Sequence, residues 1–259
     1  MDYRLIAVLL LAGLFAGMLL FSEVGRLFGR RRLARGAEGL SKGAAAAEAA
    51  VFGLLALLIA FTFSSAAAKF EARRHLITEE ANAIGTAYLR VGLLPDDVQP
   101  AMKTLFRRYV EVRATTYGDV DDEILTKARL AEGFALQEAI WKTALSASQR
   151  QGVPAQTAML VLPALNDMID ITTTRVMATR NHPPMILFLL LVGLSMVGAL
   201  LVGYGTSLDK NRSWFHIVIF AGFLSLTVYV IVDLEFPRVG LIRVSDSDQV
   251  LVELRKSML

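Results

Sequence analysis

The chain has 259 residues, 54% of them hydrophobic. Its mean hydropathy of +0.50 is too high for an ordinary soluble domain of this size. It contains no cysteine, which excludes disulfides, thiolate catalysis and cysteine-based zinc or iron–sulfur sites. The formal net charge of +3 is small, and arginines flanking apolar segments explain it better than nucleic-acid binding does. The composition therefore indicates a membrane protein without a nucleic-acid partner.

Four apolar segments hold most of the hydrophobic residues. Each is long enough to cross a bilayer as a helix, the first only just: Leu5–Phe21, Ala49–Ala68, Met185–Gly205 and Trp214–Leu234. The first segment could instead be a cleaved signal peptide, but arginines rather than an A-x-A site follow it, which favours an uncleaved anchor. We therefore predict an all-α integral membrane protein with four transmembrane helices.

Small residues and arginines mark the surroundings of the first and third segments. The stretch 22–43 contains five glycines and five arginines, and we predict a short loop there whose arginines meet anionic lipid headgroups. The third segment carries Ser195, Ala199 and Gly203 at intervals of four residues. Such a ridge lets helices approach closely in lipid, so we expect it to pack against another span.

The second segment continues without a break into an amphipathic stretch. No proline occurs between Ala44 and Leu94, and apolar residues from Phe70 to Tyr88 follow one another at spacings of three, four or seven. A helix of this length would measure about 65–75 Å, against about 30 Å of hydrocarbon. We therefore predict that one helix links the bilayer to a domain outside it.

The middle of the chain predicts a helical bundle. After Pro95, helical periodicity covers about 96–117, 121–149 and 155–179, and Pro163 indicates a kink or a restart in the last of these. A short helix with Val250, Leu251 and Leu254 follows near the end of the chain and would suit docking on the bundle. The predicted organisation is 1–68 for spans 1 and 2, 69–182 for the bundle between spans 2 and 3, 183–236 for spans 3 and 4, and 237–259 for the tail.

The side of the membrane that holds the bundle is left open by the charges. The two short loops and the opposite flanks each carry eight lysines and arginines near the spans. Because short loops count most in the positive-inside rule, the dense arginines of 22–43 favour an extracytoplasmic bundle. We expect a multi-pass protein of the bacterial inner membrane.

Motifs of catalysis and metal binding are missing from the sequence. It has no P-loop, no dinucleotide fingerprint and no G-x-S-x-G elbow. The three histidines lie far apart, and His75, which has Glu71 and Glu79 one turn away, is better interpreted as a surface histidine. We therefore predict no enzyme, no metal site and no cofactor.

Polar residues near the spans form two candidate groups. The first, Arg73, Arg74, Glu80 and Asn82, follows the second span and could ring a vestibule or bind an ion. The alternative is a salt-bridge pattern in which Glu80 pairs across the bundle. The second candidate is Asp233, beside Glu235 at the exit of the fourth span, where a carboxylate is either functional or merely interfacial.

One face of the second span could line a pore. Leu54, Leu58, Phe61 and Ser65 share this face, and Thr62 adds a hydroxyl beside it. Copies of this face around an axis would give an apolar constriction followed by hydroxyls, and pores can be gated by dewetting at such a constriction. The alternative is ordinary packing against lipid or another helix.

At this point the residues resemble a known family, the bacterial bestrophin-like family of four-span membrane proteins. The resemblance covers nearly the whole chain from about residue 45. Its most specific pieces are Leu58–Phe63, Arg73-Arg74, Glu80-Ala81-Asn82-Ala83, Leu94-Pro95, Asn166, Arg175 and the exit of the fourth span from Asp233 to Gly240.

The resemblance implies a homo-oligomeric ion channel. Bestrophins are pentameric anion channels whose pore follows the second span and an apolar neck, so the resemblance implies a pentamer that passes anions or other small ions. By analogy of span, Leu54, Leu58 and Phe61 would be the neck. The resemblance also implies a bundle in the cytosol, opposite to the side favoured by the charges. A non-conducting sensor or scaffold whose bundle binds a partner is the alternative function.

Overall fold

The computed structural model describes residues 3–34, 42–116, 123–208, 214–236, 242 and 248–258. These residues form helices and turns, and no strand occurs among them. The helices are α1 (Tyr3–Ala34), α2 (Lys42–Arg90), α3 (Gln99–Thr115), α4 (Glu123–Ser148), α5 (Ala155–Arg180), α6 (Met185–Gly205), α7 (Trp214–Glu235) and α8 (Gln249–Ser257). Short 3-10 turns cover Val91–Leu93 and Thr206–Leu208. The prediction of an all-α protein is confirmed.

The chain forms two compact units. The span unit comprises Met1–Lys69 and His182–Ile242, and the bundle unit comprises Phe70–Asn181 and Arg243–Leu259. Helix α2 contributes its first part to the span unit and its second part to the bundle unit. The prediction of one unbroken helix from the second apolar segment into the bundle is therefore confirmed, and its 49 residues correspond to about 73 Å.

Four helical stretches in the described part of the chain are long and apolar enough to cross a membrane. Their apolar segments lie in α1, α2, α6 and α7, as the sequence predicts. The predicted ridge on α6 is confirmed as a packing surface, because Ser195, Ala199 and Gly203 are all buried.

The prediction of a loop over 22–43 is wrong for most of that stretch, since α1 continues to Ala34 and α2 begins at Lys42. The glycines explain the difference. A Cβ at Gly25 would lie 1.9 Å from the carbonyl oxygen of Leu200, and a Cβ at Gly29 would lie 2.2 Å from the hydroxyl of Ser207. In lipid, glycine serves close helix–helix approach as well as turns, so these residues extend α1 along α6.

The bundle unit has its own apolar core. Its fully buried side chains come from α2, α3, α4 and α5 and include Ile84, Phe106, Ile140 and Leu165. Helix α5 passes Pro163 without ending, which excludes the restart, one of the two predicted alternatives. Helix α8 docks on this unit as predicted, because Leu251 and Met258 belong to the same core.

Two glycines of α1 test its contact with α6, because substitution by alanine should change the melting temperature differently at the two positions. Ala is the better helix former by about 1 kcal/mol, so Gly13→Ala, where nothing lies within 4 Å of the new Cβ, should leave the melting temperature equal or higher. Gly25→Ala should lower it, because the clash costs about 1–3 kcal/mol. Thermal unfolding in detergent measures both. Equal effects of the two substitutions would contradict the described contact.

Candidate functional site

Helix α2 is the least enclosed of the candidate spans. Of its most apolar stretch, 11% is buried, against 50% for α7. One side packs within the span unit through buried Leu55 and Ala66. On the same side the ring of Phe52 meets Phe220 edge to face, with centroids 6.0 Å apart. The rest of the apolar part of α2 is open to lipid or to another chain.

The pore-lining candidates lie together on an open side of α2. Leu54 and Phe61 are 54% and 66% exposed, Ser65 is exposed, and Leu58 is half-buried. The hydroxyl of Thr62 donates to the carbonyl oxygen of Leu58 at 2.7 Å, so toward an ion it offers lone pairs rather than its hydrogen. We call these five residues the apolar–hydroxyl face.

A third side of α2 carries small residues. At spacings of three or four along the helix, all exposed, it presents Ala49, Gly53, Ala56, Ala60 and Ser64. Nothing in the span unit lies within 4 Å of a Cβ at Gly53. Small residues repeated at this spacing are typical of surfaces where two helices pack in lipid. We call this the small-residue face.

The polar candidates after the span have different surroundings within the bundle unit. Arg73 is buried, and its Nε and Nη2 donate to the carbonyl oxygens of Ala178 and Asn181, both at 3.2 Å. It therefore caps the C-terminal end of α5, where a cation is favoured. Arg74 is exposed and pairs with Glu71 at 3.0 Å, and Asn82 is exposed.

Glu80 lies in the core of the bundle unit between two arginines. Its side chain is fully buried, Arg113 Nε donates to Oε1 at 2.5 Å, and Arg175 Nη1 donates to Oε2. Glu80 thus pairs across the bundle, the alternative that the sequence left open. Burial alone would raise the pKa of Glu80, but the two guanidinium groups outweigh it and lower that pKa below its usual 4.5.

The ion pairs extend to the tail of the chain. Arg175 Nη2 donates to Asp248 Oδ1 at 2.5 Å, so one guanidinium joins α5 to both α2 and the residue before α8. The four groups, two arginines and two carboxylates, are balanced in charge. Balance matters because an uncompensated charge in a core costs several kcal/mol.

A chain of hydroxyls adjoins Glu80. Gln137 Nε2 donates to the phenolic oxygen of Tyr109 at 2.8 Å. The Tyr109 and Thr172 hydroxyls share a hydrogen bond of 2.8 Å, and the Thr172 hydroxyl also lies 2.9 Å from the carbonyl oxygen of Met168 and 3.5 Å from Glu80 Oε1. Burial first, and the charge of Glu80 second, raise the pKa of Tyr109 to about 12 even though Arg113 lowers it. The phenol stays protonated and structural.

Sequence reasoning missed the polar roles of Arg113, Gln137, Thr172 and Asp248 in this network. Arg113 and Gln137 lie on amphipathic helices, where a polar residue normally faces water. The signal that could have found them is position, because Arg113 follows the buried residues Phe106, Tyr109 and Val110 of α3 at helical spacing.

Two carboxylates are buried at the C-terminal end of α7 in the span unit. Asp233 accepts hydrogen bonds from the hydroxyl of Tyr229 at 3.3 Å and from the backbone N–H of Ile242 at 2.8 Å. Glu235 pairs with Lys69 at 3.3 Å. Asp233 thus holds Ile242, which follows the fourth span. Among the described residues, no group of three or more histidines and carboxylates could hold a metal ion.

The comparisons with known proteins agree with the helical fold described above. The family model of the bestrophin-like domain matches residues 7–249. A search of the curated proteins gives no significant match.

Crystal structures of mutant forms of a bacterial bestrophin homologue from Klebsiella pneumoniae share the fold. One has a TM-score of 0.72 at 13% identity, with 96% of this chain and 98% of that chain covered. A second has a TM-score of 0.67 at 15% identity, with 95% and 98% covered.

The Glu80 network predicts an acid-sensitive contribution to stability. Glu80→Gln leaves Arg113 and Arg175 with Asp248 as the remaining carboxylate of the network, an excess of one buried positive charge, and should cost about 3–5 kcal/mol of unfolding free energy at pH 7. Because the folded pKa of Glu80 is lowered, its contribution is complete above 4.5 and is lost as the pH falls below that value.

Melting temperatures of wild type and variant across pH 3–8 measure this difference. Glu79→Gln is the matched control, since Glu79 is exposed and pairs only at the surface, with His75 at 3.2 Å. A constant difference between wild type and Glu80→Gln over the whole pH range would contradict the assignment.

Proposed function

The chain belongs to the bestrophin-like family, and from this premise we propose that it is a homo-oligomeric ion channel whose axis is lined by the apolar–hydroxyl face of α2. A channel function leads us to expect no enzymatic activity. The observation that carries the proposal is the position of that face: a long apolar helix exposes Leu54 and Phe61 to the outside of the subunit. Exposure alone would suit lipid equally well, so the neighbouring face of α2 enters the argument.

The three sides of α2 fit a ring of subunits. Successive helix positions are about 100° apart. The sides centred on Leu55, on Gly53 and on Leu54–Phe61 therefore point in three different directions. The first packs within the subunit, the small-residue face suits a helix of the next subunit, and the apolar–hydroxyl face is left for the axis. A pentamer, the assembly of bestrophins, is the ring that we expect.

Such an axis would be controlled by hydration. Rings formed by Leu54, Leu58 and Phe61 give a narrow apolar segment in which water is unfavourable, and Thr62 and Ser65 follow with hydroxyl groups. The apolar–hydroxyl face carries no charged residue, so selectivity would come from the ring edges of Phe61 rather than from a fixed charge. Phenylalanine ring edges carry partial positive charge, which suits an anion.

The polar candidates take different parts in this proposal. Arg74 and Asn82 are exposed in the bundle unit and are our candidates for residues that ions meet beyond the constriction. Arg73, Glu80 and Asp233 are buried and hydrogen-bonded, so their contribution to a vestibule would be to hold its walls. The alternative, a non-conducting sensor or scaffold, requires an axis that ions do not cross.

Two phenylalanines of α2 test the proposal as a matched pair. Phe61 and Phe63 are both exposed, but they lie about 200° apart around the helix. Phe61→Ala should raise the anion current of the reconstituted protein several-fold, because it widens and wets the constriction. Phe63→Ala should leave the current at the wild-type level. Planar-bilayer recording across voltage and pH measures both.

Other outcomes of this recording count against the channel. Silence of wild type and of Phe61→Ala at every voltage and pH would favour the sensor or scaffold. Equal effects of the two substitutions would remove Phe61 from the axis while leaving conduction intact. The oligomer of each variant, checked by size-exclusion chromatography, separates loss of assembly from loss of current.

The orientation in a bacterial inner membrane is the second part of the proposal. The last turns of α1 carry Arg26, Arg30, Arg31 and Arg32, and we place them on the cytoplasmic side, with the bundle unit outside. Because the chain lacks cysteine, Lys127→Cys at an exposed position of α4 gives a single thiol. An impermeant maleimide should label it in intact spheroplasts. Labelling only after lysis would contradict this orientation and leave the channel proposal unaffected.

A further inference from the structure

The arginine-rich end of α1 carries a feature that the channel proposal does not use. Arg26 is only 7% exposed, and its Nε has no hydrogen-bond partner among the residues that the structure describes. Neither Arg26 nor Arg30 forms an ion pair within those residues. Within the described part of the chain this buried guanidinium has no counter-charge, which is unfavourable, and a bound anion would supply one.

Close packing holds this end of α1 in place. The carbonyl oxygen of Ser22 would lie 1.8 Å from a Cβ at Gly203, so the backbones of α1 and α6 touch one turn before Arg26. Arg32 Nη1 donates to the hydroxyl of Tyr204 at 2.8 Å and fixes the next turn to the same helix. The arginines therefore project from a rigid support rather than from a loop.

We expect the guanidinium groups of Arg26 and Arg30 near the depth of lipid headgroups. Arg26 follows the apolar segment by five residues and Arg30 by nine, which is about 7 Å and 13 Å along the axis. The headgroup region extends about 5–8 Å beyond the hydrocarbon on each side. Helical side chains lean toward the N-terminus, so the side chain of Arg30 reaches back toward the membrane.

The four arginines are not equivalent around the helix. Arg26 and Arg30 are one turn apart and share a face, as residues i and i+4 do. Arg31 points about 100° away from Arg30, and Arg32 is engaged by Tyr204. Two acidic residues are described at this end of the span unit, Glu23 and Glu48, and neither forms an ion pair with Arg26 or Arg30. We propose that Arg26 and Arg30 together bind the phosphate of an anionic membrane phospholipid.

The guanidinium group suits this ligand. It is planar, always charged and presents several N–H donors that match two phosphate oxygens at once. A rotation of the Arg26 side chain would bring its enclosed Nε–H and a terminal N–H to the phosphate, and Arg30 would close over the phosphate from the next turn. A zwitterionic lipid offers the same phosphate with a cation beside it, so anionic lipids should be preferred.

The test uses the full chain purified in detergent and titrated with phosphatidylglycerol, phosphatidylcholine or inorganic phosphate. Phosphatidylglycerol should raise the melting temperature of the wild type, while phosphatidylcholine and inorganic phosphate at equal concentrations should not. For Arg26→Gln and Arg30→Gln the half-saturating concentration should rise about fivefold or more. The half-saturating concentration for Arg26→Lys should lie between those of wild type and Arg26→Gln, because lysine keeps the charge but loses the paired N–H donors of the guanidinium group.

Arg31→Gln is the matched control, since it removes the same charge from the same end of α1 on a different face. It should leave the half-saturating concentration near the wild-type value. A loss as large as that of Arg26→Gln would overturn the site in favour of diffuse surface charge. Stabilisation by inorganic phosphate equal to that by lipid would overturn the lipid as ligand. Should Arg26→Gln fail to fold, exposed Arg30 decides the comparison.

Discussion

The backbone contact between α1 and α6 is the constraint on which the rest of the span unit depends. The hydrophobic effect does not drive helices together within lipid, so close packing of complementary surfaces must hold them together instead. Gly25, Gly29 and Gly203 supply that fit, since a Cβ at any of them would strike the facing helix. Because α1 and α6 pack against each other, most of the apolar surface of α2 stays open for lipid and for other copies of the chain.

The bundle unit depends on a different balance. Glu80, Arg113, Arg175 and Asp248 neutralise one another, and the removal of one would leave a charge that the apolar core cannot solvate. The network also has directional value, because each guanidinium accepts few arrangements of its partners. It fixes how α2, α3, α5 and the start of α8 meet, which apolar contacts alone specify less sharply.

Much of the fold could be predicted from the sequence because its signals are local. Apolar length predicts the spans, and the lack of proline predicts the unbroken α2. The end of α1 was predicted wrongly because Gly25 and Gly29 indicate a turn in water, whereas against α6 they permit close packing. Pro163 likewise suggests a break that does not occur, because α5 continues through it from Ala155 to Arg180.

The polar site was less accessible to sequence reasoning. Arg113 looks like a surface residue until the helices are packed, because its burial depends on a partner distant in sequence. Asp248 reads as a helix cap, yet its carboxylate makes no capping hydrogen bond and binds Arg175 instead. For Glu80 the sequence indicates an ion pair but does not identify its partners.

The surfaces of α2 give the account its central claim: one side for its own subunit, one for a neighbour and one for an axis. Electron cryo-microscopy of the purified oligomer in lipid nanodiscs tests this claim most directly. The account predicts a ring in which α2 surrounds the axis, with Phe61 facing it and Gly53 against the next subunit. An oligomer with α2 on its outer, lipid-facing surface would contradict it.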